Sequence, residues 1–134
     1  MKNEIGKKNM IFGFSYFITT LLLGLYLAYK GMNSGPEWHE SEQHEMLVTA
    51  HVHGNLESVL NILIGYIICQ LEVSAGLVSV VSMLLLVAAI FHSGMLYLTG
   101  LGIGAAINLA PIGALSLIAS VAMMAYLVAV GLKK

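Results

Sequence analysis

Four apolar stretches, each long enough to cross a bilayer as a helix, fill most of a chain of 134 residues. A spanning helix requires roughly 20 mostly apolar residues. The stretches run over about 10–30, 46–70, 74–98 and 109–132. They predict an all-α fold, a single four-transmembrane-helix bundle embedded in a lipid bilayer. Pro111 falls in the first turn of the last stretch, where its missing N–H costs nothing. Only 10% of the residues are charged and 58% are hydrophobic, with a net charge of -1. A soluble domain has about 25% charged residues. With no basic patch, no nucleic acid is expected as a partner. The one cysteine, Cys69, has no partner for an internal disulfide.

Five of the six basic residues are Lys2, Lys7, Lys8, Lys133 and Lys134, at the two ends of the chain. The first apolar stretch is too long for an ordinary signal core and no small-x-small site follows it, so it reads as a retained helix. An even number of spans puts both termini on one side. The positive-inside rule makes that side cytoplasmic, in an inner or cytoplasmic membrane. The 31–45 loop, with Glu37, Glu40, Glu42 and Glu45, then faces the opposite side, with Trp38 as an interfacial anchor and His39 and His44 solvated. The short 70–73 turn makes the second and third helices antiparallel neighbours. Gly24 with Ala28, and Ser116 with Ser120, have the spacing that lets membrane helices approach closely.

The second stretch is unlike the others. It contains His51, His53, Asn55, Glu57, Ser58 and Asn61. At about 100° per residue, His51, Asn55 and Ser58 form one row. His53, Glu57 and Asn61 form a second, and together the rows cover more than half the circumference. Polar groups exposed to hydrocarbon cost several kcal/mol. Both rows therefore require cover, from other helices, a second protomer, a cofactor or water. A four-helix monomer covers one face of each helix well and two less easily, so the width of the polar surface points to a homo-oligomer. His92 and Tyr97, late in the third stretch, fall in the same half of the membrane as His51 and His53 and could meet them in one layer.

Ionisable residues inside a membrane are functional candidates by default. Glu57 could also be neutral, or paired with His53 one turn away, as a structural device. His92 could be a packing residue and Tyr97 an interfacial aromatic. Three chemistries use membrane histidines in this way. They are haem ligation, a non-haem metal site of His and Glu, and a proton relay. Spacing alone leaves all three open.

Ala50-His51 followed by Gly54 resembles the Ala-His-x-x-Gly segment of hydroxylaminobenzene mutases and is similar to the Ala-His-Ser-Gly segment of styrene oxide isomerases. Gly94-Met95-Leu96-Tyr97-Leu98 is similar to the Gly-Phe-Tyr-Leu segment late in the third helix of the isomerases. The separation of His51 from Tyr97 is also close to the family's. The resemblance implies a homo-oligomer, a trimer, that binds haem b between protomers. His51 would be the axial ligand, with His53 as the alternative; from the chain's own polar residues, Ser58 and His92 are further candidates to line the cofactor. A small apolar substrate would meet the open face of the iron, with Tyr97 holding its oxygen while an epoxide rearranges to an aldehyde. The family has Asn six residues after the histidine, where this chain has Glu57. Asn55 and Asn61 lie nearby without that spacing, so the candidate catalytic set is Tyr97, Glu57, Asn55 and Asn61. Two other readings compete. One is a non-enzymatic b-type cytochrome or accessory subunit of a membrane redox complex, with His92 as second axial ligand. The other is a proton or metal channel built on His53, Glu57 and Asn61.

Overall fold

A computed structural model describes residues 4–131. Lys2, Lys133 and Lys134, and Leu132 at the end of the last apolar stretch, lie outside them. Every regular element among the described residues is helical. In chain order these are α1 (Lys7–Asn33), α2 (Pro36–His39), α3 (Glu42–Ile68), α4 (Ala75–Phe91), α5 (Ser93–Gly100), a 3-10 helix (Gly104–Leu109) and α6 (Ala110–Gly131).

Three helical segments are both long and apolar enough to cross a membrane: Lys7–Asn33, Ala75–Gly100 and Gly104–Gly131. The expected fourth, α3, has 27 residues. It does not join them, because its histidines, asparagines and glutamate lower its hydropathy. It also begins before the apolar stretch. The Ser41 side chain accepts a hydrogen bond from the His44 N–H at 3.2 Å, and Glu42 and Glu45 occupy the first turn. A capping serine and early acidic residues satisfy the exposed N–H groups and oppose the helix dipole. The cap sets where the helix starts; the apolar run marks only its middle.

The third apolar stretch is broken. α4 ends at Phe91, and His92, with φ -96° and ψ -86°, leads into α5. Gly113 of α6 allows the bend: a Cβ there would sit 2.2 Å from the His92 nitrogen and 2.5 Å from the Phe91 carbonyl carbon. Beyond α5 the 99–108 connection between the last two apolar stretches is mostly helical, turning at Gly102, whose φ of +102° suits glycine. Pro111 does lie in the first turn of α6.

α3 is the centre of the bundle. It packs against α1 on one side and against α4 and α5 on the other, and α6 packs on α4. Leu23, Leu47, Ala50 and Leu96 form an apolar cluster toward its N-terminal end, and Ile64, Ile68, Leu85 and Leu127 belong to another toward its C-terminal end. Between them lies a polar layer: Asn9, Thr20, Glu57, Ser58, Asn61, Ser82 and Ser93 are all buried. The exterior is apolar, with Phe14, Leu25, Leu56 and Leu115 at half exposure or more. Soluble proteins bury their apolar side chains and expose charged ones. This inverted pattern suits a chain surrounded by lipid.

Candidate functional site

The polar layer divides into three hydrogen-bonded groups, each joining α3 to a neighbour. In the first, His51 lies against α1. Its Nδ1 is 2.8 Å from the Thr20 carbonyl oxygen. A carbonyl only accepts, so Nδ1 holds the proton. Neutral His51 then accepts at Nε2 from the Asn55 side-chain amide, 3.2 Å away. The Asn55 amide oxygen in turn accepts from the Thr20 hydroxyl at 2.6 Å. The imidazole sits so close to α1 that a Cβ on Gly24 would fall 2.6 Å from its Cε1. Gly24 thus gives the close approach expected of it, and what it accommodates is a histidine ring.

The second group crosses from α3 to the α4–α5 bend. Glu57 is 1% exposed. Its Oε1 is 2.6 Å from Nδ1 of His92, and its Oε2 accepts from the Ser93 hydroxyl. Ser93 also meets the Tyr16 hydroxyl of α1 at 2.8 Å. With the Ser93 proton given to Glu57, Tyr16 is the donor to Ser93. A continuous chain, Tyr16–Ser93–Glu57–His92, thereby links three helices. Glu57 pairs with His92 of the next helix rather than with His53 one turn before it. The His53 ring instead rests edge-on against His92, centroids 4.6 Å apart. The two ends of the chain reach different grooves. Tyr16 lines one of about 310 Å³ with Thr19, Gly94 and Tyr97. His92 lines another of about 410 Å³ with Ile107, Ala110, Pro111 and Ala114.

The third group is wholly buried. The Asn9 amide donates to the Asn61 oxygen and to the Ser82 carbonyl, both at 2.9 Å, and its oxygen accepts from the Ser82 hydroxyl. Asn61 donates to the backbone carbonyls of Glu57 and Leu85 at 3.0 and 3.3 Å. The Ser58 hydroxyl bonds back to the Gly54 carbonyl at 2.7 Å. The contacts of Asn9, Asn61 and Ser82 tie α1, α3 and α4 together.

The expected single layer of His51, His53, His92 and Tyr97 is therefore divided. His53 and His92 meet, together with Glu57, while His51 and Asn55 belong to the α1 face. Tyr97 packs against the Leu23–Leu96 cluster and shares its groove with Tyr16. Both polar rows of α3 find cover inside one chain, the first from Thr20 and Gly24, the second from His92, Ser93 and Asn9. A second protomer is not required to shield them. Thr20, Ser82 and Ser93 are polar interruptions of apolar stretches, a signal the sequence carries, whereas Asn9 just precedes the first stretch. Nothing in the sequence distinguishes Tyr16 from Tyr26 or Tyr29; only the fold does. Of the two histidines expected in a loop, His39 ends α2 and is exposed, and His44 lies in the first turn of α3 and is half-buried; their rings contact each other, and His44 also meets Trp38, which Lys30 covers at 4.9 Å.

Among the described residues, no three His, Cys or acidic side chains gather as a metal-ligand set. A haem needs only an axial imidazole. Compared with protein-family models, with curated proteins and with solved structures, the chain has no match.

Proposed function

We propose that this chain is a four-span integral membrane protein that binds haem b through His51 and isomerises a small apolar substrate. The observation that carries the reading is the state of His51. Metal-binding histidines usually donate their other ring N–H to a carbonyl or carboxylate, which fixes the tautomer and the ring. The bond from His51 Nδ1 to the Thr20 carbonyl is of this kind, so Nε2 is the atom left to ligate. Its only partner among the described residues is the 3.2 Å contact from Asn55. His51 also borders an apolar, outward stripe of α3 that includes Val48, Val52 and Leu56, 36–58% exposed. A large apolar cofactor could lie on such a stripe, shared with a second protomer of a homo-oligomer as in the family this chain resembles.

The same arrangement supports a fourth span, α3. At 1.5 Å per residue α3 is about 40 Å long, more than the ~30 Å of a hydrocarbon core. Its polar groups face α1 and the α4–α5 bend, leaving an apolar stripe outside. A helix whose polar groups are covered can span at modest hydropathy. On this reading the lysines near the two ends favour a cytoplasmic side for both.

Bound ferric haem would supply a Lewis acid for a substrate oxygen. The chain's own residues would do the rest. Thr20, Gly24 and Asn55 hold His51, and Tyr97, in its apolar groove beside Tyr16, offers a hydroxyl to orient a substrate arriving from the bilayer. The groove's apolar walls exclude water from a reactive intermediate.

Detergent-purified protein should show a Soret band that His51→Ala abolishes; a colourless preparation, grown with haem supplied, overturns the reading. A five-coordinate high-spin spectrum is expected. A second reading, a b-type cytochrome or a subunit of a redox complex, draws on His92, whose Nε2 has no partner among the described residues. A low-spin six-coordinate spectrum lost in His92→Ala would select it.

A further inference from the structure

The groove between α1 and α5 has polar groups that its own walls leave unmatched. Tyr16, Thr19, Gly94 and Tyr97 line about 310 Å³. The Thr19 hydroxyl turns back to the Tyr16 carbonyl at 2.7 Å, and glycine brings no side chain, so two phenols are left to meet a ligand. Their hydroxyls are near enough to interact electrostatically. Tyr16 is fixed at both ends, its ring stacked on Phe12 with centroids 5.4 Å apart and its hydroxyl 2.8 Å from Ser93. Tyr97 makes no hydrogen bond to any described residue. A phenol keeps its proton at neutral pH and has lone pairs as well. Ser93 reaches Glu57 and the Ala89 carbonyl besides Tyr16, so its one proton can point three ways. Whichever it takes, at most one phenol proton is used, and the groove retains an O–H and a phenol oxygen able to accept.

We infer that this groove binds a small apolar alcohol or phenol, whose hydroxyl is held by Tyr16 and Tyr97 together, one giving a proton and the other receiving one. A ketone, ether or epoxide only accepts, so it satisfies half of the site. A hydroxyl is the smallest group that satisfies both halves, and among apolar walls an unmade bond is costly. The volume is at the lower end for ligand pockets and suits one substituted ring rather than a lipid. Two aromatic walls suit an aromatic body. This assignment of substrate class rests on the groove's place in the haem reading, but requires neither the cofactor nor a particular charge state of Glu57 and His92.

The test uses the full chain in lipid nanodiscs and three probes of similar size: para-fluorobenzyl alcohol, para-fluorobenzaldehyde and para-fluorotoluene. Fluorine NMR, compared with protein-free nanodiscs, reads saturable binding. The alcohol should bind tightest, then the aldehyde, then the toluene, with about a tenfold loss for each missing hydrogen bond. Tyr97→Phe removes a hydroxyl without breaking a hydrogen bond among the described residues, and should weaken alcohol binding about tenfold. Tyr16→Phe should do the same, whereas Ser93→Ala, which leaves the Tyr16 hydroxyl in the groove, should retain the alcohol's advantage over the aldehyde. Gly94→Val, whose added Cβ would fall 3.8 Å from the Tyr16 hydroxyl, should abolish saturable binding. The same samples show whether a Soret band is present. Preference for the alcohol in a colourless preparation supports the site and defeats the haem reading; a Soret band without that preference leaves the haem reading and overturns the site. Equal binding of alcohol and aldehyde, alcohol binding untouched by Tyr97→Phe, or a loss in Ser93→Ala as large as in Tyr16→Phe would also overturn it.

Discussion

Asn61 and Glu57 sit one turn apart on α3, are equally buried, and have opposite hydrogen-bonding economies. Asn61 belongs to a closed set. Its oxygen accepts from Asn9, its amide donates to two carbonyls, and Asn9 is likewise satisfied by Asn61 and Ser82. Glu57 also has both oxygens engaged, yet the set it belongs to ends on His92, whose Nε2 has no partner among the described residues. Burial is the same in the two places, so burial does not tell a structural polar group from a functional one. The count of unused donors and acceptors does. By that measure the Asn9–Asn61–Ser82 group is a clamp, and the Tyr16–Ser93–Glu57–His92 group has an open end.

The comparison breaks first where the clamp is cut. Asn61→Leu takes the acceptor from one N–H of the buried Asn9 amide, which keeps its bond to the Ser82 carbonyl, and removes the side-chain bond to the Leu85 carbonyl. One orphaned buried donor costs roughly 1–3 kcal/mol, so a loss of about 2 kcal/mol is expected. Thermal unfolding in detergent would read it as a large fall in midpoint, whereas a loss below about 1 kcal/mol would mean that water enters the clamp and that it is not closed. Gly113→Ala comes next. Its Cβ would meet backbone rather than a flexible side chain, so α6 must move away from the bend. Overpacking of this kind costs roughly 1–3 kcal/mol. Full thermal stability in detergent would show that the bend does not depend on Gly113.

Much of this architecture is legible in the sequence. Lipid-compatible helices are written in long apolar runs, and the existence and approximate ends of α1, α4–α5 and α6 follow from them. The polar character of α3 is equally plain, as are His51, His53, Glu57 and His92 as residues that need partners. The partners themselves are not readable. Period alone assigns His53 and Glu57 to one row, yet Glu57 turns to His92 because the break after Phe91 brings Ser93 and His92 to it together. Room for that break is made by Gly113, a glycine on another helix and unremarkable in an apolar run. Nor does helical periodicity show that Thr20 and Gly24 of α1 cover His51. A second protomer is needed as cover only if α3 has one shielded face, and α3, lying between α1 and α4–α5, has two.

The smallest effect is the one that tests how His51 is held. Thr20 serves it in two ways: its carbonyl takes the Nδ1 proton, and its hydroxyl donates to Asn55, which in turn contacts Nε2. Thr20→Val keeps the shape and the carbonyl and removes only the hydroxyl. Thr20 Cγ2 lies where a Cβ on Gly54 would fall, 2.5 Å away, so a residue with the same branching is needed to preserve the α1–α3 contact. The expected loss is one hydrogen bond, about 1 kcal/mol. If the carbonyl fixes the ring, Thr20→Val retains the Soret band, and the freed Asn55 amide changes only its position. Loss of the band as complete as in His51→Ala would move the positioning role from the backbone of α1 to the hydroxyl and Asn55. His51 would then be held by a side-chain network, as His92 is held by Glu57, and the contrast between the two faces of α3 would disappear.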